Sequence, residues 1–528
     1  MSTLPITSVF NDGYIADLFD RWRRDPNSVD ESWRQFFAFA QSLAGGSVGA
    51  GTERVDAAAL RKAAGAAALM EAIRTYGHLG VRLDPLGIAP AAEVPELRPE
   101  THGITEDDLA AMPALHSDGM ATAAEEVAHL RSVYSSTIGF EFEHIEVAEE
   151  RAWLRRTVET GEMRRALSPD EKRRVLERLT QVDGLERFLG LAYQGAKRFS
   201  IEGTDMLVPM LDAAIETAGA QGAQRVVIGM AHRGRINVLA HILDKPYGTL
   251  FEEFEGKHAA TNAASDTGDV KYHLGRSTTR TLPSGETVDV TLVPNPSHLE
   301  FVNPVLAGLA RALQRQPEGG RDERSVLPVV VHGDAAFPGE GVVAESFNLS
   351  ALRGYRVGGT LHIIANNQVG FTTDPLDSRS TFYASDLAKG FEVPIVHVNA
   401  DDPESCIAAV WLALAYRERF GKDFLIDLVG YRRYGHNEQD EPMYTQPKMY
   451  EVVKKHPRPR EVWAQRLAAE GVVGADDAAA MDRRTQEALG RIHDEIKSGL
   501  VHHESHEPGD TSAAPAPTVI QTALKGEQ

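Results

Sequence analysis

Cysteine is almost missing from this chain. Cys406 is the single one among 528 residues, which excludes an intrachain disulfide framework and fits a reducing compartment. An excess of basic charge is missing as well. The 55 Lys and Arg stand against 76 Asp and Glu, for a formal net charge of −21, and bulk electrostatics of that sign disfavour nucleic acid as a partner. No apolar run approaches the roughly 20 residues that cross a bilayer. Met1 to Phe10 lacks the basic and apolar regions of a signal peptide. Together these absences predict a cytoplasmic protein with no membrane and no nucleic-acid partner. No P-loop, HExxH or G-x-S-x-G motif occurs, and no internal repeat. What remains is an ordinary globular composition, 42% hydrophobic and 25% charged. The length leaves room for about three domains of roughly 150 residues, or for one large domain with appendages.

The first 40 residues form a helical segment by pattern. Tyr14, Leu18 and Trp22 recur at four-residue spacing, and Trp33, Phe36 and Phe37 continue the apolar face after the Asp25-Pro26 turn. Ser28 with Glu31 reads as a capping box, with Asp30 as the alternative cap. Such a hairpin either packs on its own domain or docks a partner, and composition leaves both open. A Gly/Ala/Ser-rich flexible linker follows over 41–55. Region 56–124 begins with an Ala-rich helix over 56–76 and a turn at Leu83-Asp84-Pro85-Leu86-Gly87. It ends in an irregular stretch over 88–122, rich in Pro, Ala and acids. The main α/β domain is expected over 125–505, with a linker-like tail at 506–528.

Within that domain, short β-branched runs end on polar, turn-prone residues, which marks buried strands feeding loops. Val329 to Val331 stops at His332-Gly333-Asp334, and Leu361 to Ala365 stops at Asn366-Asn367. A helix over Gly341 to Leu349 separates them, making a right-handed β-α-β unit with parallel strands. Arg225 to Ala231, Val288 to Val293, Ile395 to Val398 and Phe424 to Val429 supply further strands, and helices are expected over Asn237 to Leu243 and about 404–419. After Pro457 the pattern is helical and charged to about Leu500. The expected fold is a mostly parallel, doubly wound α/β sheet with an N-terminal helical appendage.

Parallel strands place their loops on one rim, where open α/β sheets bind ligands. His232, Ser297, His298, Asp334, Asn366, Asn367 and His436 all follow predicted strands, and His273 sits in a nearby loop. One such histidine is ordinarily a hydrogen-bonded structural residue. Several on one edge suit proton transfer or anion binding. Arg233, Arg235, Arg432 and Arg433 flank them and suit carboxylate or phosphate. Asp334 and an Asn amide oxygen are hard donors of the kind magnesium takes beside a diphosphate. Gly339-Glu340-Gly341-Val342-Val343-Ala344 fits a dinucleotide pattern, but no acidic residue between Ser346 and Thr373 is available to hold a ribose. His502-His503-Glu504-Ser505-His506 lies in a polar tail with no strand to shape a metal site.

Asp334 and Asn366, with 31 residues between them, resemble the thiamine-diphosphate signature, with Ala335 in place of its third glycine. Longer phrases are more specific: His232-Arg233-Gly234-Arg235, Gly268-Asp269-Val270-Lys271-Tyr272-His273, Asn366-Asn367-Gln368-Val369-Gly370-Phe371-Thr372-Thr373, His397-Val398-Asn399-Ala400-Asp401-Asp402-Pro403 and Tyr431-Arg432-Arg433-Tyr434-Gly435-His436-Asn437-Glu438. With Asp25-Pro26-Asn27-Ser28-Val29-Asp30 and Trp33-Arg34, they resemble the thiamine-dependent, decarboxylating first component of the 2-oxoglutarate dehydrogenase complex. The likeness runs from about Asn11 to Pro508.

The resemblance implies a thiamine-diphosphate-binding fold in its diphosphate-binding part. It implies Mg2+ held by Asp334, Asn367 and the Val369 carbonyl. Arg233, Ser297, Leu299, Asp334, Ala335, Ala336 and Asn367 would hold the cofactor. Arg233, His273, Ser297 and His298 would hold substrate, with His232, His273 and His436 catalytic. The implied reaction is oxidative decarboxylation of 2-oxoglutarate in the tricarboxylic acid cycle. Its succinyl product passes to a lipoyl-bearing acyltransferase, for which the segment 11–39 is a candidate dock. Pro338 and Glu340 stand where the family more often has Ala and Gln, and Lys389-Gly390-Phe391-Glu392 also departs from the commoner sequence. No second α/β domain follows Leu500, so the pyrimidine-binding half is expected on another chain, in a homodimer or heteromer, or in a longer gene product. A non-catalytic binding module and a relative acting on 2-oxoadipate are the competing readings.

Overall fold

The computed structural model describes residues 12–29, 33–34, 37, 57–88, 93–115, 119–256 and 270–499. The expected linker 41–55, the tail 506–528, the His502 to His506 run and the Gly268-Asp269 pair lie outside the described residues. The chain divides into two compact units, Met1–Arg82 with Pro90–Glu143, and Leu83–Ala89 with His144–Gln528.

In the first unit, α1 spans Asp12–Arg24. Leu18, Trp22, Val29 and Phe37 bury together, and Phe19 and Trp33 pack onto them. Ring centroids lie 5.2 Å apart for Phe19 and Phe37 and 5.4 Å for Trp33 and Phe37. The apolar stripe therefore closes on itself as a small aromatic cluster. Ser28 donates to the Asp25 carbonyl at 2.6 Å, and Glu31 of the expected capping box is not among the described residues. The Ala-rich helix is α2 (Ala57–Tyr76). Among its described residues, the irregular stretch expected over 88–122 holds two 3-10 turns, Pro95–Leu97 and Pro99–His102, and the short helix α3 (Glu106–Ala111), started by a capping box between Thr105 and Asp108. α4 (Ala123–Tyr134) packs on α2, and β1 (Ile138–Glu141) follows. Residues 125–143, expected to open the α/β domain, thus fall in the first unit, because the apolar face of α4 buries against α2.

The second unit starts its long helix α5 (Pro169–Ala192) with a full capping box between Ser168 and Glu171, and α6 (Leu207–Ala220) follows. The alternation expected from the apolar runs then unfolds in order. It comprises β2 (Arg225–Met230), α7 (Arg235–His241), β3 (Arg276–Thr281), β4 (Thr287–Leu292) and α8 (Val302–Leu313). It continues through β5 (Val326–Gly333), α9 (Gly341–Ser350), β6 (Leu361–Asn366), β7 (Ile395–Asn399), α10 (Pro403–Phe420) and β8 (Phe424–Val429). Two helices, α11 (Pro459–Ala469) and α12 (Ala475–Lys497), close it. The strands of this unit run β7-β8-β6-β5-β2-β4-β3. All pairings are parallel except β3 with β4. β3 was not anticipated; its Arg-Ser-Thr-Thr-Arg-Thr sequence alternates half-buried and exposed positions at the sheet edge, without an apolar run.

Every residue of β6, β7 and β8 is buried, as a sheet covered on both faces requires. α8 packs on β2 and β5, where Val302, Leu306 and Ala310 meet Val227, Val326 and Val330. Phe337, Val343 and Phe347 meet Ile364, Ile395 and Leu425 in a second core cluster. Gly333 stands opposite Ala365, and Asn366 opposite Val429. The carboxyl ends of β5, β6 and β8 therefore end level, and their loops share one rim. A Cβ built on Gly339 or Gly341 would meet no neighbouring atom within 4 Å, so no close approach requires glycine there. A separate helical turn, Ala336–Gly339, stands between β5 and α9, unlike a dinucleotide fingerprint.

Candidate functional site

The last residue of β6 and the one after it do opposite things. Asn366 points inward: its Nδ2 donates to Asp427 Oδ1 at 3.0 Å, and its Oδ1 accepts the Gln368 N–H at 3.1 Å. Neighbouring residues of a strand face opposite ways, and Asn367 is released to the rim, its Oδ1 near the Val369 N–H at 3.3 Å. Gln368 and Phe371 take left-handed φ values of 62° and 57°. Such backbone in non-glycine residues persists only where the surroundings enforce it. Here Gln368 Nε2 is tied to the Gly430 carbonyl at 2.8 Å and to Asp84 at 3.0 Å. Gly370 completes the turn, since a Cβ there would stand 2.7 Å from Ala335 Cβ. The loop over 367–371 is thereby folded down on the residue next to Asp334.

Asp334 is 5% exposed. Burial pushes its carboxyl up to about 6, with Asp427 adding to the rise. Backbone N–H groups, including that of Asn367, and the Arg379 guanidinium pull it the other way. No group of three or more His, Cys, Asp or Glu suited to a metal occurs among the described residues. The donors here are instead one carboxylate, one amide oxygen and the Val369 carbonyl. They form an all-oxygen set of low charge, which suits a hard cation that keeps waters and binds phosphate. A buried carboxylate with no ion-pair partner among the described residues is a costly feature, and a bound divalent cation removes that cost.

The histidines form the other side. His232 lies against Phe199 with ring centroids 4.0 Å apart and 5.9 Å from His436. His436 also meets Phe199 at 5.6 Å and Phe371 edge-on at 5.1 Å. His273 Nδ1 is 3.0 Å from the Asn295 carbonyl. Burial, then the charge of Arg233, pushes His232 down to about 3 and His436 down to about 4. His273 and Lys197 also act on His232. Both rings are neutral at pH 7 and can accept as well as donate a proton. Arg233 donates to the Ser200 carbonyl at 2.9 Å and the His436 carbonyl at 2.8 Å, which aims it along the rim within the field of Asp334.

The flanking arginines are not equivalent. Arg235 is fully buried and spends its guanidinium on the carbonyls of Met230, Leu274 and Val293. Arg433 is held by Glu202 at 2.6 Å, by Tyr431 Oη, and by the carbonyls of Val453 and His456. Neither is free for a ligand, contrary to the expectation. Arg432 reaches the Phe371 carbonyl at 2.9 Å and Tyr450 Oη at 3.1 Å, and so braces the site loop. Ser297 and His298 stand exposed after β4, with His298 on Phe301 at 5.4 Å, and Leu299 is half-buried beside them. Ala335 is exposed and Ala336 buried at the start of the helical turn. Phe199, the shelf beneath two histidines, and Arg379, which faces Asp334, were not expected. Neither follows a strand of the motif, so spacing carried no signal for them.

Residues 177–503 match the dehydrogenase E1 component family, and residues 8–42 match the 2-oxoglutarate dehydrogenase N-terminus. The relatives include several that carry the name 2-oxoglutarate dehydrogenase E1 component. That of Bacillus velezensis is 47% identical over 527 residues, covering 94% of this chain and 55% of the relative. That of Bacillus subtilis is 46% identical, covering 93% and 54%. That of Bacillus pumilus is 45% identical, also covering 93% and 54%. The chain spans about half the length of the curated relatives it matches. The match across β2 to α12, which contains the whole rim, shows that this chain belongs to the dehydrogenase E1 component family.

Proposed function

We propose that the chain carries the diphosphate and metal side of a thiamine-diphosphate site for oxidative decarboxylation of 2-oxoglutarate. Succinyl transfer to the lipoyl arm of an acyltransferase component would follow. The observation that carries the reading is Asp334, buried with no salt bridge among the described residues, beside Asn367 and Val369 in a strained loop. That arrangement is destabilising for the empty chain and suited to a Mg2+–diphosphate pair. The names of the relatives supply the substrate.

When bound, thiamine diphosphate supplies a carbon nucleophile and an electron sink for decarboxylation of a 2-oxo acid. The residues of the chain do the rest. Asp334, Asn367 and the Val369 carbonyl hold the cation, while Ser297, Leu299, Ala335 and Ala336 line the cradle. Arg233, with two donors anchored on carbonyls, presents fixed positive charge to phosphate or carboxylate oxygens. His273, Ser297 and His298 contact substrate. His232 and His436, neutral at pH 7, exchange protons with the reacting oxygens, and their aromatic surroundings exclude water. The pyrimidine-binding half comes from outside the residues described, and the segment 11–39 docks the acyltransferase.

The test is calorimetric binding of thiamine diphosphate with Mg2+, together with 2-oxoglutarate-dependent dye reduction in the assembled protein. Binding by the parent chain and its loss in Asp334→Ala are expected, with 2-oxoadipate turned over more slowly than 2-oxoglutarate. Undiminished binding in Asp334→Ala overturns the metal assignment, and a preference for 2-oxoadipate overturns the substrate.

A further inference from the structure

Behind the rim, a line of buried polar side chains crosses the sheet. Glu300, 1% exposed, accepts at Oε2 from His332 Nδ1 at 2.7 Å and from Asn303 Nδ2 at 2.9 Å. Nε2 of His332 lies 2.9 Å from His362 Nδ1. Nε2 of His362 has no hydrogen-bond partner and stands 3.6 Å from Asp423 Oδ2. Asp423 in turn accepts the Thr360 N–H at 2.8 Å, at the entry to β6. Burial opposes the charge on Glu300, yet His332, Asn303 and the Gly333 backbone N–H hold its carboxyl below the usual range.

Glu300 belongs to the loop after β4 that carries Ser297 and Leu299. Its partners His332 and Gly333 are the two residues leading into Asp334. One buried anion thus joins the two arms of the proposed cradle. It also sets the direction of the line. With a Glu300 oxygen accepting, His332 Nδ1 is the donor of that bond, and its Nε2 is left to face His362 Nδ1.

Resting on the functional reading above, we propose that Glu300 is a positioning residue for Asp334, fixing the Gly333-Asp334 turn and the Ser297–Leu299 loop in register before cation and diphosphate arrive. Outer-shell partners of this kind ordinarily change metal affinity by on the order of 10- to 100-fold when removed. Glu300→Gln retains shape and removes the charge. Asn303→Ala removes one donor to the same oxygen and leaves the anion. Glu150→Gln is the control, altering a buried acid bonded to Tyr416 and Lys422 at 2.6 Å each, outside the cradle.

The measurement is Mn2+ affinity by electron paramagnetic resonance with thiamine diphosphate present, alongside thermal melting of each empty protein. The expected result is about 10- to 100-fold weaker Mn2+ binding in Glu300→Gln and a smaller loss in the same direction in Asn303→Ala. Parent affinity is expected in Glu150→Gln, although it melts lower. Should Glu300→Gln not fold, Asn303→Ala decides alone, and unchanged affinity there overturns the proposal. Parent-like binding in Glu300→Gln, or equal losses in Glu300→Gln and Glu150→Gln, also overturns it and leaves the functional reading intact. Absence of Mn2+ and thiamine diphosphate binding in the parent protein overturns both.

Discussion

The two ends of the same sheet treat buried charge in opposite ways. At the amino ends of β5, β6 and β8, Arg417 is buried, yet its guanidinium donates to the carbonyls of Gly359, Glu323 and Val326 at 2.7–3.1 Å. Gly359, at φ 90°, lets the backbone approach it, since a Cβ there would meet the Lys422 carbonyl at 2.3 Å. At the carboxyl ends, Asp334 is buried with no salt bridge among the described residues, Gln368 and Phe371 hold left-handed backbone, and two histidines are kept neutral. At the first end the Arg417 charge is satisfied by carbonyls. At the second, the Asp334 charge is left unsatisfied by any salt bridge among the described residues and stands beside left-handed backbone, as at an end that waits for a ligand.

The largest effect is expected from breaking the satisfied end. Arg417→Met leaves the buried carbonyls of Gly359 and Val326 short of a donor, at a cost of about 1 to 3 kcal/mol each before relaxation, while the Glu323 carbonyl keeps Gln314 Nε2 at 3.3 Å. A net loss of about 4 kcal/mol in urea unfolding is expected, with cation affinity unchanged in the protein that remains folded. A variant that instead melts normally and binds weakly would reverse the comparison.

The unsatisfied end should respond with the opposite sign. Burial pushes the Asp334 carboxyl up to about 6 from its ordinary 3.8, so its ionised form is disfavoured in the folded chain. That penalty is absent below about pH 4, grows as pH rises through 6 and is complete above it. Asp334→Asn is therefore expected to stabilise the empty chain at pH 8 by up to about 3 kcal/mol, from roughly two pH units at 1.36 kcal/mol each. No gain is expected at pH 4, and Mg2+ binding should be abolished. Equal melting of variant and parent at pH 8 would remove the case for a strained metal ligand.

His232 tests the same end with the pH axis reversed. A base with a depressed folded pKa contributes full stability above its unfolded value of about 6.5, and that contribution is lost as pH falls toward 3. His232→Gln is expected to flatten this acid limb, gaining about 2 kcal/mol over the parent at pH 5 and nothing at pH 8. A parallel pH profile in the two proteins would show that the ring is not desolvated.

Much of this division was legible in the sequence, and the exceptions have physical reasons. The β-branched runs of β5 and β6 declared buried parallel strands, and their polar ends declared the rim. β3 stayed hidden because an edge strand of Arg, Ser and Thr buries too little to leave an apolar period. Arg233 and Arg235 look interchangeable in sequence. Gly234 at φ 75° turns the chain between them, so one meets the rim and the other the interior. Asn366 and Asn367 could be told apart by strand alternation alone. Phe199 and Arg379 could not be found that way, because they reach the site from remote segments. The division into compact units at Glu143 and His144 was not legible near the expected opening at 125, since α4 has an apolar face whichever unit receives it.

The finest test concerns Phe371, which is 60% exposed, left-handed, and edge-on to His436. Glycine there relieves about 1 to 2 kcal/mol of left-handed strain, while the unfolded chain gains conformational freedom worth about 0.4 to 1 kcal/mol. These terms oppose each other, so Phe371→Gly is expected to melt within about 1 kcal/mol of the parent. The consequence appears instead at His436, whose proton affinity is lowered first by burial. Taking away the ring admits water, and the His436 titration followed by NMR is expected to move up from about 4 toward the ordinary histidine value, with His232 moving less. If His436 does not move, its desolvation comes from Phe199 alone, and the strain at Phe371 serves the loop rather than the histidine. If both rings move together, the aromatic shelf acts as one unit, and the boundary between strained rim and settled core lies deeper than Phe199.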